Sequence, residues 1–410
     1  MKPITAVVLG AGSRGATYAS YAKEYPEHLQ IIAIAEPRRD RLDGLADAVG
    51  VPREMRFADW KALLSRPKLA DCAFICTLDD DHTVPALKAM ELGYHILLEK
   101  PMSNTEEECR QIVDAANRMQ RTLAVCHVLR YTPFYMTLKA LIDNGRIGEV
   151  TTINQIENVG YWHQAHSFVR GNWRSTKETS PMLLQKSCHD MDILLWLMGK
   201  NCRRVQSFGS LRHFCAENAP AGAPQRCLDN CPHADSCPYY APKLYLDMTR
   251  TEWPVDVITT DLSYEGRRKA LEEGPYGRCV YHCDNDVVDR QVVNMEFEGG
   301  AVATFTMTGL SADFCRQLKI FGTQGQITAD MGTKEIVLHR FGEEKRSIPV
   351  DMGGENSGHG GGDYGILRDF LSVLRNGGES RTSAAVSLQS HLICFAAERS
   401  RKENIVVDLK

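Results

Sequence analysis

The chain has 410 residues, of which 43% are hydrophobic and 24% charged, with a formal net charge of −4. That length suits two domains with real cores, and so balanced a charge excludes an electrostatic binder of nucleic acid or membrane. No apolar run reaches the roughly eighteen residues of a spanning helix. The first strand begins at Ile4, so no secretory leader is expected and the expected location is cytoplasmic.

Ile4–Leu9 is an apolar, β-branched run, the pattern of a strand buried on both faces. Gly10-Ala-Gly12-Ser13-Arg14-Gly15 follows, then a helical stretch, then a second apolar run that ends on Glu36. Strand, glycine turn, helix, strand and terminal acid form a dinucleotide-binding fingerprint in its required context. Gly10 permits the turn, Gly12 lets a pyrophosphate approach the backbone, and Gly15 lets helix and strand pack closely. The helix N-terminus supplies amide donors. Glu36 is placed to accept from a ribose 2′-hydroxyl, which favours NAD over NADP, although Arg38 and Arg39 leave room for a 2′-phosphate.

Alternation of strands and helices continues: helices at Arg39–Val49, Trp60–Ser65 after an Asp59 cap, and Thr83–Leu92; strands at Cys72–Cys76, His95–Leu98 and Leu123–Cys126; a helix starting at Asn104. This predicts a doubly wound parallel sheet over 1–125. From 126 to 410 the pattern changes. β-rich runs at Val150–Asn158, Arg204–Arg212, Val287–Phe297, Ala301–Leu310, Gln317–Gly322, Gln326–Asp330 and Glu335–Arg340 surround a helix at Ser187–Met198. They predict an α+β domain with a large, open, mostly antiparallel sheet. Gly353–Gly362 is a glycine-rich loop, Asp363 is placed to cap Tyr364–Asn376, and a helix at Ser383–Arg401 precedes a strand at Ile405–Leu409.

Gly10/Gly12/Gly15, Glu99-Lys100-Pro101 after the fifth strand, Cys126-His127-Val-Leu-Arg130-Tyr131-Thr-Pro133, Gly145-x-Ile147-Gly148-Glu149-Val150 and the helix bearing His189-Asp190-Met191-Asp192 together resemble the Gfo/Idh/MocA oxidoreductases. The resemblance covers nearly the whole chain except an insertion at about 213–275. It implies a Rossmann domain followed by the α+β domain, with Thr77, His82, Glu99 and Lys100 lining the cofactor beside the fingerprint residues. It also implies hydride transfer between NAD(P) and a sugar or polyol carbinol, and a homodimer or homotetramer. Lys100 is the candidate proton acceptor, because a lysine beside a cationic ring can have a depressed pKa. His189 is the candidate base or hydrogen-bond partner of the hydroxyl. Gln185 stands where the family pattern has an aspartate, and Lys186 adds a cation able to bind an anion or an enolate.

Tyr161–Arg174 is rich in the residues that grip sugars, with stacking rings and guanidinium forks. It contributes His163, His166, Arg170, Trp173 and Arg174 as expected substrate ligands, with Tyr131, Lys186 and Asn285 from elsewhere; Trp173 and Arg174 also suit a domain buttress. Asn285 lies in Gly277–Asp289, which reads equally as a substrate rim or as self-satisfied turns. Cys215, Cys227, Cys231 and Cys237 cluster in the proline-rich insertion. Four thiolates suit a structural zinc ion holding a segment with little core of its own; His233 replacing a sulfur, an iron–sulfur cluster and free thiols remain alternatives. The remaining isolated cysteines are expected as buried thiols.

Three functions fit this pattern: net oxidation or reduction at one sugar or polyol hydroxyl; redox-neutral glycoside cleavage through transient C3 oxidation and elimination; and a non-catalytic NAD-sensing role, which the presence of Lys100 disfavours.

Overall fold

The computed structural model describes residues 2–351 and 358–409. Positions 353–357 of the sequence-based loop at Gly353–Gly362 lie outside these residues. The N-terminal sheet is formed by β1 (Ile4–Leu9), β2 (Leu29–Ala35), β3 (Arg56–Phe57), β4 (Cys72–Ile75), β5 (His95–Leu98) and β6 (Leu123–Val125). Its order is β3-β2-β1-β4-β5-β6, and every pairing is parallel. Helices α1 (Ser13–Glu24), α2 (Arg39–Val49), α3 (Trp60–Leu64), α4 (Thr83–Glu91) and α5 (Glu106–Arg118) connect the strands. Ala6 and Val8 enter one apolar core and Val7 and Leu9 the other. Burial on both faces is why β1 is continuously apolar. The Asp59 carboxylate caps α3 by accepting from Ala62 N at 2.8 Å. The cap of α5 is Thr105, not Asn104, with its hydroxyl accepting from Glu108 N.

After α6 (Pro133–Asp143) comes β7 (Val150–Asn158), then α7 (Tyr161–His163), a π-helical stretch Gln164–Arg170, α8 (Met182–Met198) and β8 (Cys202–Ser210). The segment 211–289 carries three short helices, α9 (Ala241–Tyr245), α10 (Val255–Ile258) and α11 (Tyr264–Glu273). Strands β9 (Arg290–Phe297), β10 (Val302–Thr308), β11 (Cys315–Gly322), β12 (Gly325–Asp330), β13 (Glu335–Arg340) and β14 (Arg346–Ile348) follow, then α12 (Gly362–Asn376), α13 (Ala384–Glu403) and β15 (Val407–Asp408). The nine-stranded sheet runs β14-β13-β12-β11-β7-β10-β9-β8-β15, antiparallel except at β7–β10. In β10, Ala303, Phe305 and Met307 are buried while the alternate residues are not. One face therefore packs on helices and the other lies open. Among the described residues no helix is long and apolar enough to cross a membrane.

Three sequence expectations are corrected. Helix α8 starts at Met182, five residues before the expected Ser187, so Gln185, Lys186 and His189 share one rigid element. Asp363 does not cap a helix; it lies inside α12, fully buried, where its carboxylate accepts from Arg14. The cysteine-rich insertion has cores of its own. Phe214, Val280 and Tyr281 pack on Ala165 and Val169, while Tyr245, Val255, Leu271 and Tyr276 form a second cluster.

Candidate active site

The site lies where the C-terminal ends of β1, β2, β4 and β5 meet α8. Gly10 adopts φ +96°, and a Cβ there would meet the Cys76 carbonyl oxygen at 2.5 Å; one on Gly15 would collide with the Gly10 carbonyl. These two glycines are demanded by packing. Over Gly12 a Cβ would find no protein atom nearer than the Arg41 guanidinium, at 3.7 Å. That clearance over the N-terminus of α1, whose capping position carries no side-chain cap, fits a dinucleotide pyrophosphate. Ser13 is exposed in the first turn. Glu36, buried at the end of β2, accepts from Ala11 N at 2.8 Å and Arg38 N at 3.0 Å, so it braces the turn. Arg38 and Arg39 pair with Asp40 and Asp43.

Other expected cofactor ligands turn out to hold the protein together. The Arg14 side chain is committed to Glu99 (2.7 Å), Tyr18 (2.6 Å) and Asp363 (2.6 Å), which leaves its main-chain N–H as its contribution to the helix N-terminus. Glu99 also accepts from the Tyr18 hydroxyl and from Lys100 N. Burial pushes the Glu99 carboxyl up, but Arg14, the Tyr18 hydroxyl and Lys100 together hold it below the ordinary range. Burial likewise opposes ionisation of Asp363, and Arg14 and His359 together hold it low. His82 is buried between the carbonyl oxygens of Pro101 (2.7 Å) and Thr77 (3.1 Å). Thr77 donates its hydroxyl to Asp81 O. Both residues tie the β4 loop to the β5 loop.

Lys100 reaches across to α8. Its Nζ donates to the main-chain oxygen of Gln185 at 2.5 Å, one helical turn before His189. Two buried ion pairs set the rotation of α8. Asp190 binds Arg316 at 2.7 Å, and Asp192 takes the Arg130 fork at 2.6 and 2.7 Å. Burial, and then the charge of Lys100 with His127 and His359 behind it, holds the His189 imidazole well below its ordinary pKa. His189 Nδ1 is buried without a partner. A ring held neutral in this way is a weak base but can exchange a hydrogen bond with a hydroxyl. Its ring lies 5.7 Å from His127 and 6.1 Å from His359.

Of the expected substrate ligands, His163 and Lys186 stay near this pair. Lys186 binds buried Glu157 at 2.9 Å; burial lowers its pKa, and Glu157 partly restores it. Burial and then the Lys186 charge depress His163. Trp173 donates to Asp79 at 3.2 Å, beside Ser180, which donates to the other oxygen of that carboxylate at 2.9 Å. Trp173 is a buttress between the halves of the chain. Arg174 pairs with Asp284 and Glu178. The other four turn away. Tyr131 donates to Asp369 at 2.9 Å under α12. His166 bonds the Tyr245 hydroxyl at 2.8 Å and stacks on Tyr276. Arg170 spends its donors on Arg278 O and Tyr239 O, and Asn285 donates to Phe214 O. Arg170 and Asn285 thus fasten backbone in and beside the insertion and His166 a side chain of it, while Tyr131 is held by α12.

The cysteine expectation is also corrected. Cys227, Cys231 and Cys237 line a cavity of about 20 Å³ together with Cys279 and Arg170. Cys215 sits apart, its thiol donating to Arg212 O. Among the described residues no group of three or more His, Cys, Asp or Glu is arranged to hold a metal ion, so structural zinc finds no support. Arg41 was missed entirely. It is one of two arginines in α2, and only the fold carries its guanidinium over Gly12.

A parallel nucleotide-binding sheet whose strand ends carry a lysine that reaches a histidine-bearing helix of a second, open-sheet domain defines a dinucleotide-dependent oxidoreductase. Residues 4–127 match the profile described as oxidoreductase family, NAD-binding Rossmann fold, and residues 139–409 match that of its C-terminal alpha/beta domain. The chain belongs to the Gfo/Idh/MocA oxidoreductase family and is an NAD-binding enzyme of that family. It is 24% identical over 323 residues to the putative oxidoreductase YteT of Bacillus subtilis (strain 168), covering 75% of this chain and 73% of that protein. An inositol 2-dehydrogenase of Klebsiella pneumoniae (MGH 78578) is 27% identical over 200 residues, 48% of this chain and 56% of that one. The 2,7-anhydro-N-acetylneuraminate hydratase of Escherichia coli (strain K12) is 25% identical over 204 residues, 49% and 51% of the two chains. The chain thus spans about half the length of most curated relatives it matches. Its fold is similar to that of levoglucosan dehydrogenase in complex with NADH and L-sorbose, with TM-score 0.75 and 20% identity over 100% of both chains.

Proposed function

We propose that this protein oxidises or reduces a hydroxyl-bearing carbon of a sugar, glycoside or polyol by hydride transfer with NAD. The observation that carries this reading is the junction of Lys100 Nζ with the Gln185 carbonyl, one turn before His189. Gly10, Gly12, Ser13, Gly15 and Glu36 would hold the dinucleotide, with Arg41 over its phosphates. Bound NAD supplies a hydride acceptor. Lys100 takes the hydroxyl proton, and His189 orients the hydroxyl through a hydrogen bond. Trp173 and Ser180, both on Asp79, limit water entry from one side. Pairing of Arg38 and Arg39 with acids supports NAD over NADP.

A second reading is redox-neutral glycoside cleavage through transient oxidation at C3. It is supported by His163, a buried neutral imidazole beside Lys186 that simple alcohol oxidation does not require, and by the hydratase among the relatives. One experiment separates the two. Protein with catalytic NAD is given a panel of nitrophenyl glycosides while aglycone release and nicotinamide absorbance are followed together. Stoichiometric reduction without release supports the dehydrogenase. Release over many turnovers without net reduction supports cleavage. Neither signal with any glycoside or polyol in the panel overturns both.

The partner we propose is a second copy. Phe208, Val292, Thr306 and Ile156 form one row across four strands on the open sheet face, and Phe208 and Ile156 are exposed. Light scattering of the wild type and Phe208→Glu tests this: a dimer or tetramer that the variant lowers supports it, and a monomeric wild type overturns it.

A further inference from the structure

Beside Lys186 three aromatic side chains from separate parts of the chain come together. Trp162 belongs to α7, Trp253 to the insertion just before α10, and Phe314 to the loop between β10 and β11. Their rings meet edge to face, with Trp162 5.4 Å from Trp253 and 5.3 Å from Phe314. His163 lies under all of them, 5.0 Å from Trp253 and 5.2 Å from Phe314. These are not core residues: Trp253 is 39% exposed and Phe314 50%. Neither indole N–H has a protein partner among the described residues.

The cluster is fixed in place and joined to the reacting groups. Gly160 precedes it at φ +84°, hemmed in by Asp313 O, Phe314 and Trp162, and Tyr161 N donates to Ser311 O at 2.8 Å. Lys186 Nζ lies 5.5 Å over the Phe314 ring. Lys186 directly follows Gln185, whose carbonyl accepts from Lys100. An exposed aromatic wall with free N–H donors, an ammonium at its edge and the reactive lysine one residue away suits an amphipathic ring. Such a ring presents C–H bonds to aromatic faces and hydroxyls to donors. A wholly apolar ligand would leave the indole donors unanswered.

We propose that Trp162, Trp253 and Phe314 form a sugar-binding platform, which stacks against a pyranose ring of the substrate and holds it beside Lys100 and His189. This rests on the carbohydrate reading above. The insertion thereby acts in substrate selection: it supplies Trp253 and, through His166 on Tyr245 and Tyr276, is anchored to the segment bearing Trp162.

The test is calorimetric binding of the methyl and nitrophenyl glycosides of the same panel to NADH-loaded protein, together with steady-state kinetics. Proteins compared are the wild type, Trp253→Ala, Trp253→Phe, Phe314→Ala and Lys100→Met. Expected are losses of about tenfold or more in glycoside affinity, and matching rises in KM, for Trp253→Ala and Phe314→Ala. kcat should change by less than about threefold, NADH affinity should be unchanged, and Trp253→Phe should recover most of the loss. Equal glycoside affinity in the wild type and both alanine variants overturns the platform, as does a wild type that binds no glycoside. Lys100→Met keeps the two claims apart. Trp253-dependent binding that survives in Lys100→Met while the wild type shows no turnover sinks the reaction and leaves the platform. Turnover that is indifferent to Trp253 and Phe314 does the reverse.

Discussion

Lys100 Nζ and the main-chain oxygen of Gln185 lie 2.5 Å apart, joining the end of β5 to the first turn of α8. The carbonyl that Lys100 reaches is the one that helical geometry pairs with His189 N–H. Lysine and histidine are therefore indexed to the same peptide group. Gln185, in the place of the family's aspartate, contributes its backbone to this junction. Its side chain brings no charge to orient an imidazolium, which fits a histidine that burial keeps neutral.

Lys100→Met removes the proton acceptor we propose. We expect kcat to fall by roughly 10²–10⁴-fold on whichever substrate of the panel the wild type turns over, with NADH affinity within about threefold of wild type. Steady-state rates and fluorescence titration with NADH check both halves. A variant that keeps more than a tenth of the wild-type rate would remove Lys100 from the chemistry.

Arg41 sits over the phosphate-binding turn, and its helix is tied to the insertion by Thr260 Oγ1, which donates to Asp40 at 3.1 Å. Arg41→Ala should weaken NADH binding by about tenfold, the effect of one charge-assisted contact. Arg39→Ala, at an exposed pair with Asp43, should leave it within about twofold. NADH titrations of both variants give the comparison.

Asp363 is buried opposite Arg14, whose guanidinium it shares with Glu99. Asp363→Asn should cost about 3 kcal/mol, the low end for breaking a buried pair, because Glu99 still partners the arginine. Denaturant titration measures it. The phosphate loop and α12 should loosen together, visible as faster amide exchange in both.

Acidification should destabilise the fold earlier than carboxylate titration alone would. Burial pushes His127 down to about 4 and His166 and His391 down to about 3. Their unfolded forms bind a proton near pH 6.5, so below that pH the unfolded chain takes up protons the folded chain refuses. Stability is complete above about pH 6.5 and falls as pH drops toward 4, by about 1.4 kcal/mol per pH unit for each such histidine. His166→Phe should flatten the fall of Tm between pH 6.5 and 4.5 by one histidine's share, whatever it does to Tm at pH 7.5. An unchanged slope would show that His166 titrates freely.

The sheet architecture was legible because it is written in short-range pattern. Continuous apolar runs marked the doubly buried strands, alternation marked the one-sided sheet, and Gly10, Gly12, Gly15 and Glu36 stood at fixed spacing. The start of α8 was not legible, because Met182-Leu-Leu-Gln-Lys carries no cap and follows a proline.

The polar residues of Tyr161–Arg174 show where such reading stops. A guanidinium or imidazole is equally suited to a substrate and to an unpaired carbonyl, and only the partner decides. Arg170, His166, Asn285 and Tyr131 found partners inside the protein, whereas Trp162 clusters with Trp253 and Phe314 from distant parts of the chain, both exposed. The cysteine cluster behaved alike: spacing marked thiols that line one cavity, but not the two apolar clusters that pack the insertion. By itself the sequence determined the layers, the nucleotide turn and the lysine after the fifth strand, since each depends on residues adjacent in the chain. Tertiary structure alone decided which charges meet each other and which meet a ligand, because that depends on contacts between residues far apart in the chain, such as Arg130 with Asp192 and Arg14 with Asp363.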